Sequence, residues 1–471
     1  MPSPTEKRPD AKDARIQPTG LPDIHGDQAG GANAARGDSA DSALPATARN
    51  VLTAARERMA LVFDEFDNVC VSFSGGKDSG VLLNLALDEA KWRGRSIGVF
   101  HMDYEAQYQM TTDYVNEVYA ANQEHIQSFR FCLPLAAQCC TSMHQDHWIP
   151  WDREHQDLWV REMPENGIQE ERAPDYFRRG MWDYEFQEKF GPWFHEKNRA
   201  DKTALLVGIR TQESFNRWRA IHSDRNYRKY KELEWTKEMV PNVFNAYPIF
   251  DWKTEDIWTA NARFGWSYNK LYDLFHQAGM TIDKMRVASP FNDCAAESLK
   301  YYKAIDPRNW GKMIGRVNGV NFTGIYGGTT AMGWRSIKLP RGHTWKSYME
   351  FLLSTLPESA AENYKKKLAK SITFWKEKGG CLSPEVIAKL KAEGVPHEVV
   401  AETNYDTPKK PVRMDYLDDI DIEEFREIPT YKRMCVCIMK NDHLCKFMGF
   451  SLTKTETQIR SEALHKYESI P

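Results

Sequence analysis

No apolar run in this chain approaches the roughly 18 residues needed to cross a bilayer as a helix, so the reading has no place for a membrane partner. The first residues lack the apolar core of a secretory signal peptide. Net charge is only −3 over 471 residues, which gives no global electrostatic drive towards nucleic acid. Cysteine is sparse: nine residues are scattered without a Cys-x-x-Cys pair. That usage suits reduced thiols in a cytoplasm better than a disulfide framework. No internal repeat implies a solenoid. Residues 1 to 47 have almost no large apolar side chains and are rich in Ala, Gly, Asp and Pro. They cannot bury enough surface to offset ordering entropy and are expected to be a disordered tail. Asp10, Asp13, Asp23 and Asp27 argue against a transit peptide, since such peptides are poor in acids.

The remainder is long enough for a large core and two domains. Residues 48–66 read as an amphipathic helix leading into the block Asn68–Phe73, whose β-branched and aromatic residues predict a buried strand. Val81, Leu82, Leu85 and Ala86 then recur at helical spacing. Between them lies Ser74-Gly75-Gly76-Lys77-Asp78-Ser79. A glycine-rich turn between a strand and a helix N-terminus presents unpaired N–H groups and a favourable dipole to an anion. Gly75 and Gly76 let the backbone approach phosphate oxygens, Ser74 and Ser79 add hydroxyls, and Lys77 adds a point charge. A Walker A loop would require Ser or Thr directly after the lysine, where this chain has Asp78.

Ser74–Ser79 resembles the PP-loop of ATP pyrophosphatases and phosphoadenylyl-sulfate (PAPS) reductases, which implies an adenine nucleotide, ATP or PAPS, as ligand, with Mg²⁺ accompanying ATP. A second strand is expected over 95–102, ending at Asp103, where open α/β sheets bind ligands. Asp103 is thereby placed to meet a ribose or a magnesium ion, or is simply a solvated loop acid. A third strand, Ala204–Ile209, runs into Gly208-Ile209-Arg210-x-x-Glu213-Ser214-x-x-Arg217, which resembles a second PAPS reductase motif. Arg210 can grip phosphate or sulfate bidentately, and Glu213 can orient Arg210 and Arg217. A third block, Tyr247–Trp258 with Tyr268-Asn269-Lys270-Leu271-Tyr272, resembles the family's next segment. Its role reads as structural, with Thr254 or Asp251 capping a helix.

The chain departs from a true reductase. It has no Cys-Gly pair for a nucleophilic tail, and where a Cys-x-x-Cys should follow the Tyr272 segment there is only Cys294, with Glu297 in place of its partner. A cubane cluster needs four thiolates, so no iron–sulfur cluster is expected. Cys435, Cys437, His443 and Cys445 tempt a zinc assignment, but on a helix Cys435 and Cys437 point about 200° apart. Neither zinc nor iron is expected there, and buried packing is the favoured reading. The stretch 217–231 interleaves cations with Trp218, Tyr227 and Tyr230. It suits a loop closing on an anionic nucleotide, with nucleic-acid backbone as the minority reading.

A Trp-rich insertion at about 140–200 and the Cys-rich C-terminal segment resemble a bacterial "predicted PAPS sulfotransferase" group with a DUF3440 region, which includes immunoglobulin-binding regulator A proteins. That resemblance implies a regulatory role through a protein partner, a ParB-like regulator. The expected fold is a Rossmann-like parallel α/β sheet with helices on both faces over 48–330, then a mainly helical region over 331–471. The expected function is adenylylation of an acceptor by ATP pyrophosphatase-type chemistry, with PAPS sulfotransfer or reduction, or nucleotide sensing, as alternatives. Lys77, Arg210 and Arg217 are the expected catalytic residues. Ser74, Gly75, Gly76, Asp78, Ser79, Asp103, Gly208, Glu213 and Ser214 complete the expected nucleotide site.

Overall fold

The computed structural model describes residues 50–213, 217–218, 221, 228–293, 295, 298–327, 329, 337–400 and 409–450. The expected tail 1–47, Ser214, Cys294, Glu297, most of the basic stretch and the domain boundary near 330 lie outside them.

Six strands form the central sheet: β1 Asn68–Ser72, β2 Ile97–Met102, β3 Ile126–Phe131, β6 Thr203–Val207, β7 Thr236–Val240 and β8 Val243–Ala246. Their order is β3-β2-β1-β6-β8-β7, and a small pair, β4 Ala137–Gln138 and β5 His147–Trp148, stands apart. All neighbours in the main sheet are parallel except β7, which runs antiparallel beside β8. The parallel expectation therefore holds with one antiparallel edge.

Both faces are covered, which is why the parallel strands read as continuous apolar blocks. Alternation sorts them by face. Val69, Val71, Val99, Ala204 and Leu206 pack into a core with α1 Val51–Glu65, α2 Lys77–Trp92 and α3 Gln109–Ala121. Cys70, Phe100, Phe129, Phe131 and Leu205 face the other way, against Phe186, Phe190 and Phe194 of α4 Asp183–Asn198.

Strand order reverses direction between β1 and β6. The register Ser72↔Val207 brings the two strand ends level, so the segments after β1 and β6 leave the sheet side by side. This is the topological switch point, where open α/β sheets bind ligands.

The helix after Asp251 runs Thr254–Phe264, but neither expected cap holds it. The Lys253 N–H donates to the Asp256 carboxylate at 2.7 Å. Asp251 is drawn instead into a bidentate pair with Arg58 of α1, at 2.8 and 2.7 Å. Beyond residue 337, helices Trp345–Thr355, Glu358–Glu377, Pro384–Ala392 and Tyr431–Met439 dominate, as expected. The region also holds a small antiparallel sheet, Gly380–Leu382, Lys410–Met414 and His397–Val399, with Lys410–Met414 central. It meets the preceding part of the chain through Lys446, whose Nζ lies 2.9 Å from Asp293 and 3.0 Å from Gln138.

Candidate nucleotide site

The Ser74–Ser79 loop leaves β1 and becomes the first turn of α2. Gly75 has φ +76°, a conformation that favours glycine. The turn is self-bonded: the Ser74 N–H donates to Ser79 Oγ at 3.2 Å, and the Gly76 N–H to Ser74 Oγ at 3.3 Å. Ser79 Oγ in turn donates to the Gly76 carbonyl at 3.1 Å. At the helix start, the Lys77 N–H donates to the Tyr272 hydroxyl at 3.0 Å. Burial raises the Tyr272 pKa, so this hydroxyl stays neutral. Hydroxyl oxygens thus occupy amides that face the position of an anion at a helix N-terminus.

The motif after β6 comes to the same place. Gly208 abuts the start of α2 so closely that a Cβ there would lie 3.1 Å from the Ser79 nitrogen and 3.2 Å from the Asp78 carbonyl carbon. Arg210, with its side chain 2 % exposed, donates from Nε to Asp78 Oδ1. Lys77 Nζ sits 2.9 Å from the other Asp78 oxygen. Asp78 therefore holds one cation from each motif. Glu213 lies 3.8 Å from Arg210 and is bonded by Arg217, so Glu213 bridges the two arginines. Thr211–Glu213 is a 3-10 turn. Burial pulls the Lys77 ammonium below its ordinary pKa, with Asp78 opposing.

Asp103 departs from expectation. Its carboxylate is fully buried: Oδ2 accepts from Arg130 Nε at 3.1 Å and Nη2 at 2.9 Å, while Oδ1 is bonded by Arg161 and the Glu105 N–H. Burial alone would raise its pKa, but Arg161 and Arg130 outweigh that and hold it below the usual carboxylate range. It is a structural anion, committed to two arginines rather than presented to a ribose or a metal. The Trp-rich insertion supplies Arg161 and closes over the end of β2. There Trp151 Nε1 donates to the Asp103 carbonyl at 2.6 Å, and the Trp151 and Val160 amides donate to Glu105.

Two residues of the segment whose role reads as structural, Asn269 and Tyr272, hold the loop itself. Asn269 donates to the Gly75 carbonyl and to Thr111 Oγ1, both at 2.9 Å, and Tyr272 meets Lys77. Their string was visible in the sequence. Their grip on a loop nearly 200 residues earlier was not. Of the C-terminal thiols, Cys437 and Cys445 meet each other. Cys435 Sγ lies 3.5 Å from the Trp345 carbonyl, Cys437 Sγ 3.7 Å from Asp442, and His443 Nε2 3.2 Å from the Ser142 carbonyl. Among the described residues no group of three or more His, Cys, Asp or Glu is arranged to hold a metal.

Residues 160–278 match the phosphoadenosine phosphosulfate reductase domain, and residues 279–459 match DUF3440, a domain of unknown function. Over 418 residues the chain is 33% identical to the uncharacterized protein YbdN of Escherichia coli (strain K12), spanning 87% of this chain and 93% of that protein. The chain belongs to this PAPS reductase–DUF3440 family. The uncharacterized protein MJ0066 of Methanocaldococcus jannaschii is 30% identical over 207 residues, 44% of this chain and 33% of that one. Among solved structures, the PAPS reductase of Candida auris in a phosphate complex aligns over 47% of this chain and 84% of that one, with 16% identity and a TM-score of 0.27. The chain carries a PAPS reductase-like domain, and its mostly parallel sheet, covered by helices, is followed by a mainly helical C-terminal region. Among the described residues no helix is long and apolar enough to cross a membrane.

Proposed function

We propose that this protein is a PP-loop enzyme that binds ATP and transfers its adenylyl group to an acceptor, releasing pyrophosphate. The supporting observation is the convergence of Lys77, Arg210 and Arg217 on Asp78 and Glu213 beside the amides of Ser74–Ser79. In this reading the β- and γ-phosphates replace the Tyr272 and serine hydroxyls at the loop amides. Lys77 and Arg210 turn from Asp78 to the phosphates. An acceptor oxygen or sulfur attacks the α-phosphorus, the bond to the bridging oxygen breaks, and pyrophosphate leaves with that electron pair. The acceptor's proton passes to solvent. Charge that develops on the leaving group then meets the loop amides, Lys77 and Arg210, and stabilisation of that kind is where such sites gain most of their rate.

ATP enters as its magnesium complex. Asp78, the one carboxylate within Ser74–Ser79, is engaged by two cations, so magnesium in this reading travels on the phosphates. The thiols of Cys139 and Cys140 are buried and pushed up in pKa by that burial, which favours adenylylation over thiol-dependent reduction. The match to the PAPS reductase domain favours PAPS as a second ligand for the same loop. Pyrophosphate release from γ-labelled ATP, with PAPS turnover measured in parallel, tests the reading. Release that Lys77→Ala abolishes supports it. Sulfite or sulfate-ester formation from PAPS without pyrophosphate release replaces it with the second reading. Tight nucleotide binding with neither product indicates a regulatory role through a protein partner.

A further inference from the structure

We infer that Arg286 is a fourth cation of the nucleotide site, supplied by the C-terminal region, and that it receives the terminal phosphate of a nucleoside triphosphate. The inference rests on the proposed placement of a nucleotide at the PP-loop and deepens it. Arg286 lies within the stretch that matches DUF3440. Lys77 and the Gly208–Arg217 motif lie before it.

The position of Arg286 is set by its neighbours. Met285 is buried in a core that also contains Tyr272, the residue whose hydroxyl meets the Lys77 amide. Val287 stands against the PP-loop: its Cβ lies 3.8 Å from where a Cβ on Gly76 would be. The Arg286 side chain, between these two anchors, is exposed. Its Nη2 donates to the Glu213 carbonyl oxygen at 3.3 Å.

Glu213 is therefore the meeting point of three guanidinium groups. Its carboxylate is shared by Arg210 and Arg217, and its backbone carbonyl takes Arg286. Asp78 is likewise shared, by Lys77 and Arg210. Lys77, Arg210 and Arg217 thus meet at two shared carboxylates, with Arg286 beside them on the Glu213 carbonyl. Like charges gathered at this range repel unless an anion joins them. Arg286 carries the least compensated of the four charges, since among the described residues no carboxylate lies within ion-pair distance of it. A guanidinium has five N–H donors, and this one spends a single donor on a neutral carbonyl. An exposed arginine elsewhere would simply be solvated. Here its guanidinium stands at the exposed rim of the proposed anion site, while Lys77 and Arg210 are buried. The chemistry that fits is a polyphosphate whose inner groups reach the loop and whose outermost group reaches the rim.

The test is calorimetry on the full chain with ATP, AMP, PAPS and inorganic tripolyphosphate, for wild type, Arg286→Gln, Arg286→Lys and Lys77→Ala. Because Arg286 is exposed, the two substitutions should leave the melting temperature unchanged, which a thermal scan verifies. Loss of a charge-assisted contact should weaken ATP and tripolyphosphate roughly 10- to 100-fold in Arg286→Gln. AMP should change by less than about threefold, and Arg286→Lys should recover part of the loss. Unchanged ATP affinity in Arg286→Gln, alongside a loss in Lys77→Ala, overturns this inference and leaves the PP-loop reading standing. Equal weakening of ATP and AMP, or an effect confined to PAPS, overturns the terminal-phosphate assignment. A wild type that binds none of the four removes both readings together.

Discussion

Asp103→Asn separates a structural acid from a ligand-binding one, and the structure sets its size. Asp103 and Arg130 are both 0% exposed in their side chains, and Arg161 is 6% exposed. The asparagine would keep one acceptor oxygen but remove the only charge that Asp103 offers these two guanidinium groups. Breaking a buried ion pair in this way costs about 3–5 kcal/mol, mostly as uncompensated charge left behind. The compact unit Asn50–Pro471 is roughly 420 residues, so its unfolding entropy is about 0.9 kcal/mol per degree. The melting temperature should therefore fall by about 3–6 °C. Nucleotide affinity of the folded protein should stay within about threefold of wild type, because the carboxylate does not face the crevice. Scanning calorimetry and ATP titration of the same preparation measure both quantities. A variant that melts within a degree of wild type yet loses ATP affinity tenfold would refute this reasoning and return Asp103 to the site.

Three further outcomes are expected. Gly208→Ala should weaken nucleotide binding by about tenfold, since overpacking against a backbone costs about 1–3 kcal/mol and the nearest atoms belong to the Asp78–Ser79 backbone; unchanged affinity would mean the loop yields freely. Arg210→Lys should impair nucleotide binding or turnover nearly as much as Arg210→Ala, because the charge survives but the fork does not; full activity in either variant counts against the converging-motif site. His101 is buried, and that burial pulls its imidazole down to about 4 despite Asp103 nearby. A base with a depressed folded pKa contributes stability that is complete above the unfolded value near 6.5 and is lost as pH falls through the folded one. About 3 kcal/mol should disappear between pH 6.5 and 4. Denaturant midpoints across that range should show a shallower loss in His101→Asn, whose amide can still donate to the Phe73 carbonyl that His101 Nδ1 meets at 2.7 Å. An identical slope in both proteins would exclude His101 as the titrating group.

What the sequence determined by itself is local. The contiguous apolar block of β1, the glycine that needs φ +76°, and the apolar spacing of α2 are properties of the chain within a few residues. Backbone sterics and helix periodicity act at that range, so the strand–loop–helix unit was legible. The Gly208–Arg217 motif was legible for the same reason, and only folding placed its Arg210 on Asp78, 132 residues away. Partner choice among charges was decided by tertiary structure. Asp103 looked like an acid at a strand end until β3 brought Arg130 and the insertion brought Arg161, 27 and 58 residues further along. Asp251 looked like a helix cap until Arg58, 193 residues before it, claimed the carboxylate. The strands of the C-terminal sheet have only three to five residues each, too few for alternation to show. Helix and strand formation are fixed by neighbours along the chain, whereas a carboxylate goes to whichever cation the fold desolvates beside it, and that competition is settled only when distant segments meet.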